Sequence, residues 1–445
     1  MTARRRVLLS AYQCGPGEGS VSQIGWEWFS RLAEHSAVTL VTHIRNQQVL
    51  SAQRLPAADA QIVYVDTEAF AGPLYRLASR LFPRSQHAVF LISSLDFFVF
   101  DRQAVRLLVR MQKQGRQWDL VHCVTPVSPI ASPTLHRLGL PVLLGPWNGG
   151  LPSPSTFPEF MKQDSAWLYP VRNLGRIAEF VNRGIADSAM ILTATDATRN
   201  SIPEPYRNKC HRMLENGVDL SVFRAMPWPS PPKVENLLRV VFVGRLVPFK
   251  GVSMLLDAVK TISGSIPVEL VIIGEGPERA QLEAHAAALE LSPPVRFQGN
   301  RTLSDVSAAI RAAHIFCLPS VRESGGAVLL EAMASGRPVV AVRYGGPAEL
   351  VTDDVGRAIA PVGREYVIQE LSKTLRDVAE RPEVWRLKGL AGRKRSEQEF
   401  SWDAKIAQAL LLYERLIHQN QPLPGTQPTG SLTIVEPAES DLQIQ

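Results

Sequence analysis

The chain is 445 residues long, with 45% hydrophobic and 20% charged residues, a net charge of +6 and a pI near 9.2. That length exceeds what one hydrophobic core serves and implies two or three domains of ordinary globular composition. The composition excludes a membrane-spanning helix, since no run nears ~18 apolar residues, and a nucleic-acid reader, since no basic run is interleaved with aromatics.

Cys14, Cys123, Cys210 and Cys317 form no Cys-x-x-Cys pair, and three of them lie in or beside apolar strand-like runs, so reduced thiols are expected. The run Val7-Leu-Leu-Ser-Ala-Tyr12 follows three arginines but is too short for a secretory h-region. It enters a Gly-rich loop, as a first Rossmann strand does, and the cytoplasm is the expected location. After Cys14-Gly-Pro-Gly-Glu-Gly-Ser20 comes an aromatic helix over 21–33, then the strand Ala37-Val-Thr-Leu-Val-Thr42. Glycines 15, 17 and 19 do not match G-x-G-x-x-G, and no acid follows at Thr42, His43 and Ile44, which argues against a nicotinamide enzyme.

Leu74, Leu77, Ala78, Leu81 and Phe82 recur at helical spacing, with Arg76, Arg80 and Arg84 between them. Arg102, Arg106 and Arg110, continued by Lys113, form a second basic stripe. Each is either the solvated face of a core helix or an interfacial face for anionic lipid. Trp118-Asp-Leu-Val-His122 reads as a strand ending in histidine, and 141–144 as a strand opening into the loop Gly145-Pro-Trp-Asn-Gly-Gly150. The segment 183–194 is expected to end a helix and form the last strand, with 191–195 closing the first sheet.

A turn-rich crossing, Glu215-Asn-Gly-Val-Asp-Leu-Ser-Val-Phe223, leads into the extended Met226-Pro-Trp-Pro-Ser-Pro-Pro232. Strand and helix signals then alternate: Leu238-Arg-Val-Val-Phe-Val243, a helix over 252–262, Val268-Glu-Leu-Val-Ile-Ile273, a helix over 278–289, Val295-Arg-Phe-Gln-Gly299 and His314-Ile-Phe-Cys-Leu-Pro-Ser320. Such alternation implies a parallel sheet with crossover helices. In the loop Gly244-Arg-Leu-Val-Pro-Phe-Lys-Gly251, Arg245 and Lys250 stand at the carboxyl end of a strand, where doubly wound sheets bind ligands. They either neutralise a diphosphate, Arg as a fork and Lys as a point charge, or are solvated loop charges.

Glu323-Ser-Gly-Gly-Ala-Val-Leu-Leu-Glu331 places Gly325 and Gly326 at a helix N-terminus, where free N–H groups and the dipole attract phosphate. Glu323 precedes that helix and Glu331 lies more than one turn inside it. One carboxylate can then face a sugar while the other reaches a ribose. The helix over 327–335 closes at Gly336, and 400–418 is a final amphipathic helix. The segment 419–445, with Pro, Gly, Thr and Ser and few aromatics, reads as a disordered tail.

Through the Arg245–Lys250 loop, the Glu323–Glu331 pair and Arg343-Tyr-Gly-Gly-Pro-Ala-Glu-Leu-Val351, the chain resembles the retaining glycosyltransferases of family four, the group 1 type, closely over 236–352. It departs at His314, where the family usually has Asp, and at Gly325, where many members have Phe. The resemblance implies an α/β, GT-B fold: two Rossmann-like domains facing a cleft, 1–215 for the acceptor and 216–399 for the donor with 216–235 as hinge, and helix 400–418 crossing back to the first domain.

It further implies hexosyl transfer from a nucleoside diphosphate sugar with retention, in cell-surface polysaccharide or glycolipid synthesis. Arg245 and Lys250 would hold the diphosphate, Glu323 the sugar and Glu331 the ribose, with Gly244, Gly325, Gly326 and Ala327 completing the donor site. Gly19 faces the phosphates across the cleft, or serves a tight turn. His122 positions the acceptor, or is a buried structural histidine. No resident cofactor or metal is expected, as the chain has no Asp-x-Asp pair. Expected partners are the nucleotide sugar, a glycan or lipid-linked acceptor and an anionic membrane surface at the inner face, with no nucleic acid. The alternatives are a nucleotide-sugar epimerase and a non-catalytic nucleotide-sugar-binding module; the latter would lack the paired cations and carboxylates.

Overall fold

The computed structural model describes residues 4–82, 95–151, 155–158, 179–232 and 237–419. Arg84 of the first basic stretch, and the tail expected beyond residue 419, lie outside them. Two parallel sheets organise the chain. The first contains β1 (Arg6–Ala11), β2 (Ala37–His43), β3 (Gln61–Val65), β4 (Leu120–Thr125), β5 (Val142–Trp147), β6 (Met190–Thr193) and β7 (Cys210–Arg212), in the order β3-β2-β1-β4-β5-β6-β7. The second contains β8 (Leu238–Val243), β9 (Val268–Ile273), β10 (Arg296–Phe297), β11 (Ile315–Leu318), β12 (Val339–Val342) and β13 (Gly356–Ile359), in the order β10-β9-β8-β11-β12-β13.

β1 has β2 on one side and β4 on the other, and β8 sits likewise between β9 and β11. The direction of winding therefore reverses beside β1 and beside β8, which opens a crevice at the carboxyl edge of each sheet. The loops bearing Gly19 and the Arg245–Lys250 pair leave from those two strands. The central strands are buried along most of their length because helices cover both faces, so they read as apolar runs rather than alternations.

In the first domain the helices are α1 (Ser20–His35), α2 (Gln47–Ser51), α3 (Glu68–Leu81), α4 (Asp96–Lys113) and α5 (Asp196–Ser201). The second has α6 (Val252–Ser263), α7 (Arg279–Ala288), α8 (Leu303–Ala312), α9 (Ala327–Ala334), α10 (Gly346–Leu350), α11 (Arg364–Glu380) and α12 (Pro382–Arg395). Last comes α13 (Trp402–Gln419), whose Trp402, Ile406, Ala409 and Tyr413 share a core with Val7, Leu9 and Trp28. The final helix thus crosses back onto the first domain. It is stitched to the crossing segment at Val218, whose N–H reaches Phe400 O at 2.9 Å while Trp402 N–H reaches Val218 O at 3.2 Å.

The first sheet departs from expectation in three ways. Its far edge is β7, not the segment 191–195, because Cys210–Arg212 adds a further parallel strand to β6. β3 was not anticipated. β5 continues through Gly145, Pro146 and Trp147, which the sequence assigns to a loop; these residues are buried, and the ladder shifts register between Leu144 and Trp147.

Candidate functional site

The two sheets turn their carboxyl edges toward each other. From the first domain come Asn148, after β5, and the N-terminus of α5; from the second come 319–326, after β11, and 343–349, after β12. Asp196 N–H donates to Glu349 Oε1 at 2.8 Å, and Arg212 pairs with the same carboxylate. Thr156 Oγ1 donates to Pro361 O at 2.8 Å. These contacts fix where the cleft lies.

The Gly244–Gly251 loop is clamped on both sides. Leu246 N–H bonds Glu275 O at 2.8 Å, and Val321 N–H bonds Phe249 O at 2.9 Å. Gly251 has φ +66°, and a Cβ there would stand 2.4 Å from Pro319 O, so two constraints demand glycine. The loop carries the two cations that the sequence singled out. Arg245 is exposed, has no ion-pair partner among the described residues, and lines a cavity of about 510 Å³ with Gly244, Glu275, Gly276, Asn300 and Arg301. Sequence reasoning missed Asn300 and Arg301. Their signal was their place just after β10, at the same carboxyl edge.

Lys250 does something the sequence could not show. Its ammonium is paired with Glu323, and both side chains are largely buried, at 16% and 14% exposure. The other carboxylate oxygen, Oε1, accepts a long 3.4 Å bond from Gly326 N–H. Gly326 has φ +70° and caps α9, so its amide and those following face outward from the helix N-terminus beside the Lys250–Glu323 pair. The Gly345–Gly346 turn braces this loop: Gly346 N–H bonds Glu323 O at 3.1 Å, and a Cβ on Gly345 would stand 2.0 Å from that carbonyl. Glu331, inside α9, has no side-chain partner among the described residues, and burial pushes its carboxyl up to about 7. Gly19 caps α1 with φ +99° and nothing within 4 Å of a Cβ, so glycine is needed there for backbone conformation, not for a close approach.

His122 takes the second of its two readings. It is fully buried; Nε2 lies 2.7 Å from Gly145 O and Nδ1 lies 2.6 Å from the Tyr413 hydroxyl on α13. A carbonyl only accepts, so Nε2 carries the proton and Nδ1 accepts from tyrosine. Burial lowers the imidazole to about 3, keeping it neutral. The helix that crosses back covers His122, which is buried against Tyr413. His314 is likewise a structural group, buried and lowered to about 4, accepting from Arg239 N–H at 2.9 Å and facing Ser230 O at 2.9 Å.

Gly325 packs against the crossing segment: a Cβ there would stand 2.0 Å from Glu215 Oε1 and 2.7 Å from Asn216 Nδ2. A phenylalanine could not occupy this position while Glu215 does. Glu215 itself is 4% exposed, with burial raising its carboxyl, and on the far side Lys405 of α13 donates to Leu214 O and, at 3.1 Å, to Asn216 O. Burial lowers that ammonium to about 7.

Comparison with known proteins agrees with this architecture. Residues 229–389 match the family model "Glycosyl transferases group 1". The second domain is a group 1 glycosyltransferase domain. Relatives of this glycosyltransferase domain include an MMP alpha-(1->4)-mannosyltransferase of Mycolicibacterium hassiacum, 29% identical over 56% of this chain and 60% of that protein. A D-inositol 3-phosphate glycosyltransferase of Salinispora tropica is 33% identical over 41% of this chain and 39% of its own length. A GDP-mannose-dependent alpha-mannosyltransferase of Mycobacterium tuberculosis is 29% identical over 65% and 69%. The chain therefore spans about half the length of the curated relatives it matches. Among solved structures, a glycosyltransferase from Rickettsia africae superposes with TM-score 0.62 at 14% identity, covering 94% of this chain and all of that one. The Anabaena protein HepE, solved with UDP and glucose, gives 0.58 at 17%, covering 93% and 100%. The fold is GT-B, two Rossmann-like domains across a cleft.

Proposed function

We propose that the chain transfers a hexosyl group from a nucleoside diphosphate sugar to an acceptor hydroxyl, with retention, in cell-surface polysaccharide or glycolipid synthesis. The observation that carries this reading is the Lys250–Glu323 pair at the N-terminus of α9, beside the Arg245 loop. The anomeric C–O bond breaks heterolytically, leaving its electron pair on the diphosphate. Positive charge develops on the sugar and negative charge on the leaving group. Arg245, Lys250 and the α9 amides are preorganised for that negative charge, in general the largest catalytic contribution. The acceptor oxygen forms its bond on the face the diphosphate leaves, and its proton passes to the departing diphosphate oxygen. In this scheme neither a protein base nor a resident cofactor or metal is needed. Glu323 orients the hexose, Glu331 accepts the ribose hydroxyls, and Gly19 faces the phosphates from the first domain. The family of the second domain and the GDP-mannose dependence named for one relative support a nucleotide sugar as donor.

Thermal unfolding in the presence of UDP-, GDP- and ADP-sugars tests the donor. The cognate donor at a hundred times its Kd is expected to stabilise by ~2.7 kcal/mol. Product analysis then separates the alternatives. A transferase yields a new glycoside whose anomeric configuration is read by NMR, whereas an epimerase isomerises the sugar without acceptor. Protection by none of the donors sinks the proposal.

A lipid-linked acceptor and inner-face association are part of this reading, and the two basic stretches differ here. Arg102, Arg106 and Arg110 are exposed on α4, but its Phe97, Phe100, Ala104 and Leu108 are buried, the pattern of an ordinary core helix. On α3, by contrast, Phe70, Tyr75, Leu77 and Leu81 are 43–61% exposed beside exposed Arg76 and Arg80. No helix among the described residues is long and apolar enough to cross a membrane. We therefore assign lipid contact to α3. Replacing Arg76 and Arg80 with alanine is expected to weaken binding to phosphatidylglycerol vesicles ~30-fold, at ~1 kcal/mol per charge. Raised salt should mimic the double variant. A wild-type protein that stays in the supernatant at low salt rejects the docking face and favours a water-soluble acceptor.

A further inference from the structure

We infer that Glu215 is a positioning residue of the cleft, locking the loop after β5 to the start of the donor helix α9; the functional half of this inference rests on the transferase reading above. One oxygen of its carboxyl does the joining. Oε1 accepts from Asn148 Nδ2 at 2.6 Å and from Asn216 Nδ2 at 2.8 Å, and Gly325 is pressed onto the same atom. Three pieces of chain thus converge on one buried oxygen: the loop leaving the first sheet, the crossing segment and the residue before the cap of α9. Lys405 fixes the carbonyls on either side, Leu214 O and Asn216 O, so the backbone that presents Glu215 is itself held.

Among the described residues, Glu215 Oε2 and Asn148 Oδ1 are both buried without a hydrogen-bond partner, and the Glu323 carboxylate adds like charge nearby. Orphaned buried polar atoms each cost stability. An apolar pair would pack this junction at lower cost, so the arrangement is suited to setting geometry rather than to stability. A carboxyl or a carboxamide can accept both amide donors through Oε1; an alanine cannot.

The test compares Glu215→Ala, Glu215→Gln, Asn148→Ala and the double alanine variant. Hydrogen exchange of a peptide covering 145–150 is expected to speed ~10-fold in each alanine variant and to stay near wild type in Glu215→Gln. With the donor found by thermal unfolding and octyl hexosides as acceptor probes, the alanine variants should raise acceptor KM ~10-fold. UDP or GDP Kd should hold within about twofold, and the double variant should be no worse than either single one, the signature of one shared interaction. If Glu215→Ala does not fold, Asn148→Ala tests the same bond from the loop side. Unchanged exchange and unchanged KM in Asn148→Ala and Glu215→Ala overturn the inference, as does an equal loss of nucleotide affinity. A wild type that transfers to nothing, yet shows Glu215-dependent exchange, rejects the transferase reading and keeps the lock.

Discussion

Lys250→Ala is expected to cut transfer by a hundredfold or more while the protein still folds. The leaving diphosphate gains charge as the glycosidic bond breaks, and a donor preset at that position is worth ~3 kcal/mol of barrier, a factor above a hundred. In the unliganded protein the ammonium is occupied by Glu323, with both groups largely buried. A diphosphate must therefore draw Lys250 into a shared arrangement with Glu323. Truncating the lysine also strands the Glu323 charge with the 3.4 Å Gly326 amide, so a fall in unfolding temperature should accompany the kinetic loss. Steady-state kinetics beside thermal unfolding separate the two effects. Lys250→Arg restores charge without the point geometry and should recover activity only in part. Near-normal turnover in Lys250→Ala would return the residue to a partner of Glu323 and nothing more.

The two carboxylates are expected to fail differently. Glu331→Gln should weaken nucleoside diphosphate binding, because a carboxylate accepting two ribose hydroxyls is replaced by an amide. Glu323→Gln should spare or tighten that binding, since it frees Lys250, while transfer falls by about a hundredfold through loss of the hexose contact. Calorimetry with UDP or GDP reads the first and turnover the second; equal loss of nucleotide affinity in both variants would refute the division.

Glu331 also predicts a pH signature. Its folded value of about 7 is raised above the 4.5 of an exposed carboxyl. Its contribution to stability is thus fully present below pH 4.5 and lost as pH rises through 7. Glu331→Gln should gain stability relative to wild type across that window. Nucleotide binding, which favours the ionised carboxylate, should release a proton near neutral pH in wild type and not in Glu331→Gln.

Much of this was legible in the linear chain because it depends on neighbours in sequence. Apolar runs followed by Gly turns marked β1, β8 and β9, since strands buried on both faces need no polar alternation. Gly326 before Ala327 marked the start of α9, since a positive-φ cap and the helix that follows are local events. The edge strand β7 escaped notice because its pairing is supplied by β6 rather than by the composition of Cys210-His-Arg212, whereas Gln61-Ile-Val-Tyr-Val65 of β3 carries a β-branched signal that went unread.

What the tertiary structure alone decided are the partners across long stretches of chain. Lys250 meets Glu323 from 73 residues away, and His122 meets Tyr413 from 291 away. The first pairing turns two separate motifs into one charge-balanced unit, and the second buries a histidine under the helix that crosses back. The exposed apolar face of α3 and the buried one of α4 carry similar basic stripes, so which helix the core covers was not written in either stripe. Glu215 gave no sign in a turn-rich crossing. Its role arises because the fold presses Gly325 onto one of its oxygens, and packing of that kind is a property of space rather than of sequence spacing.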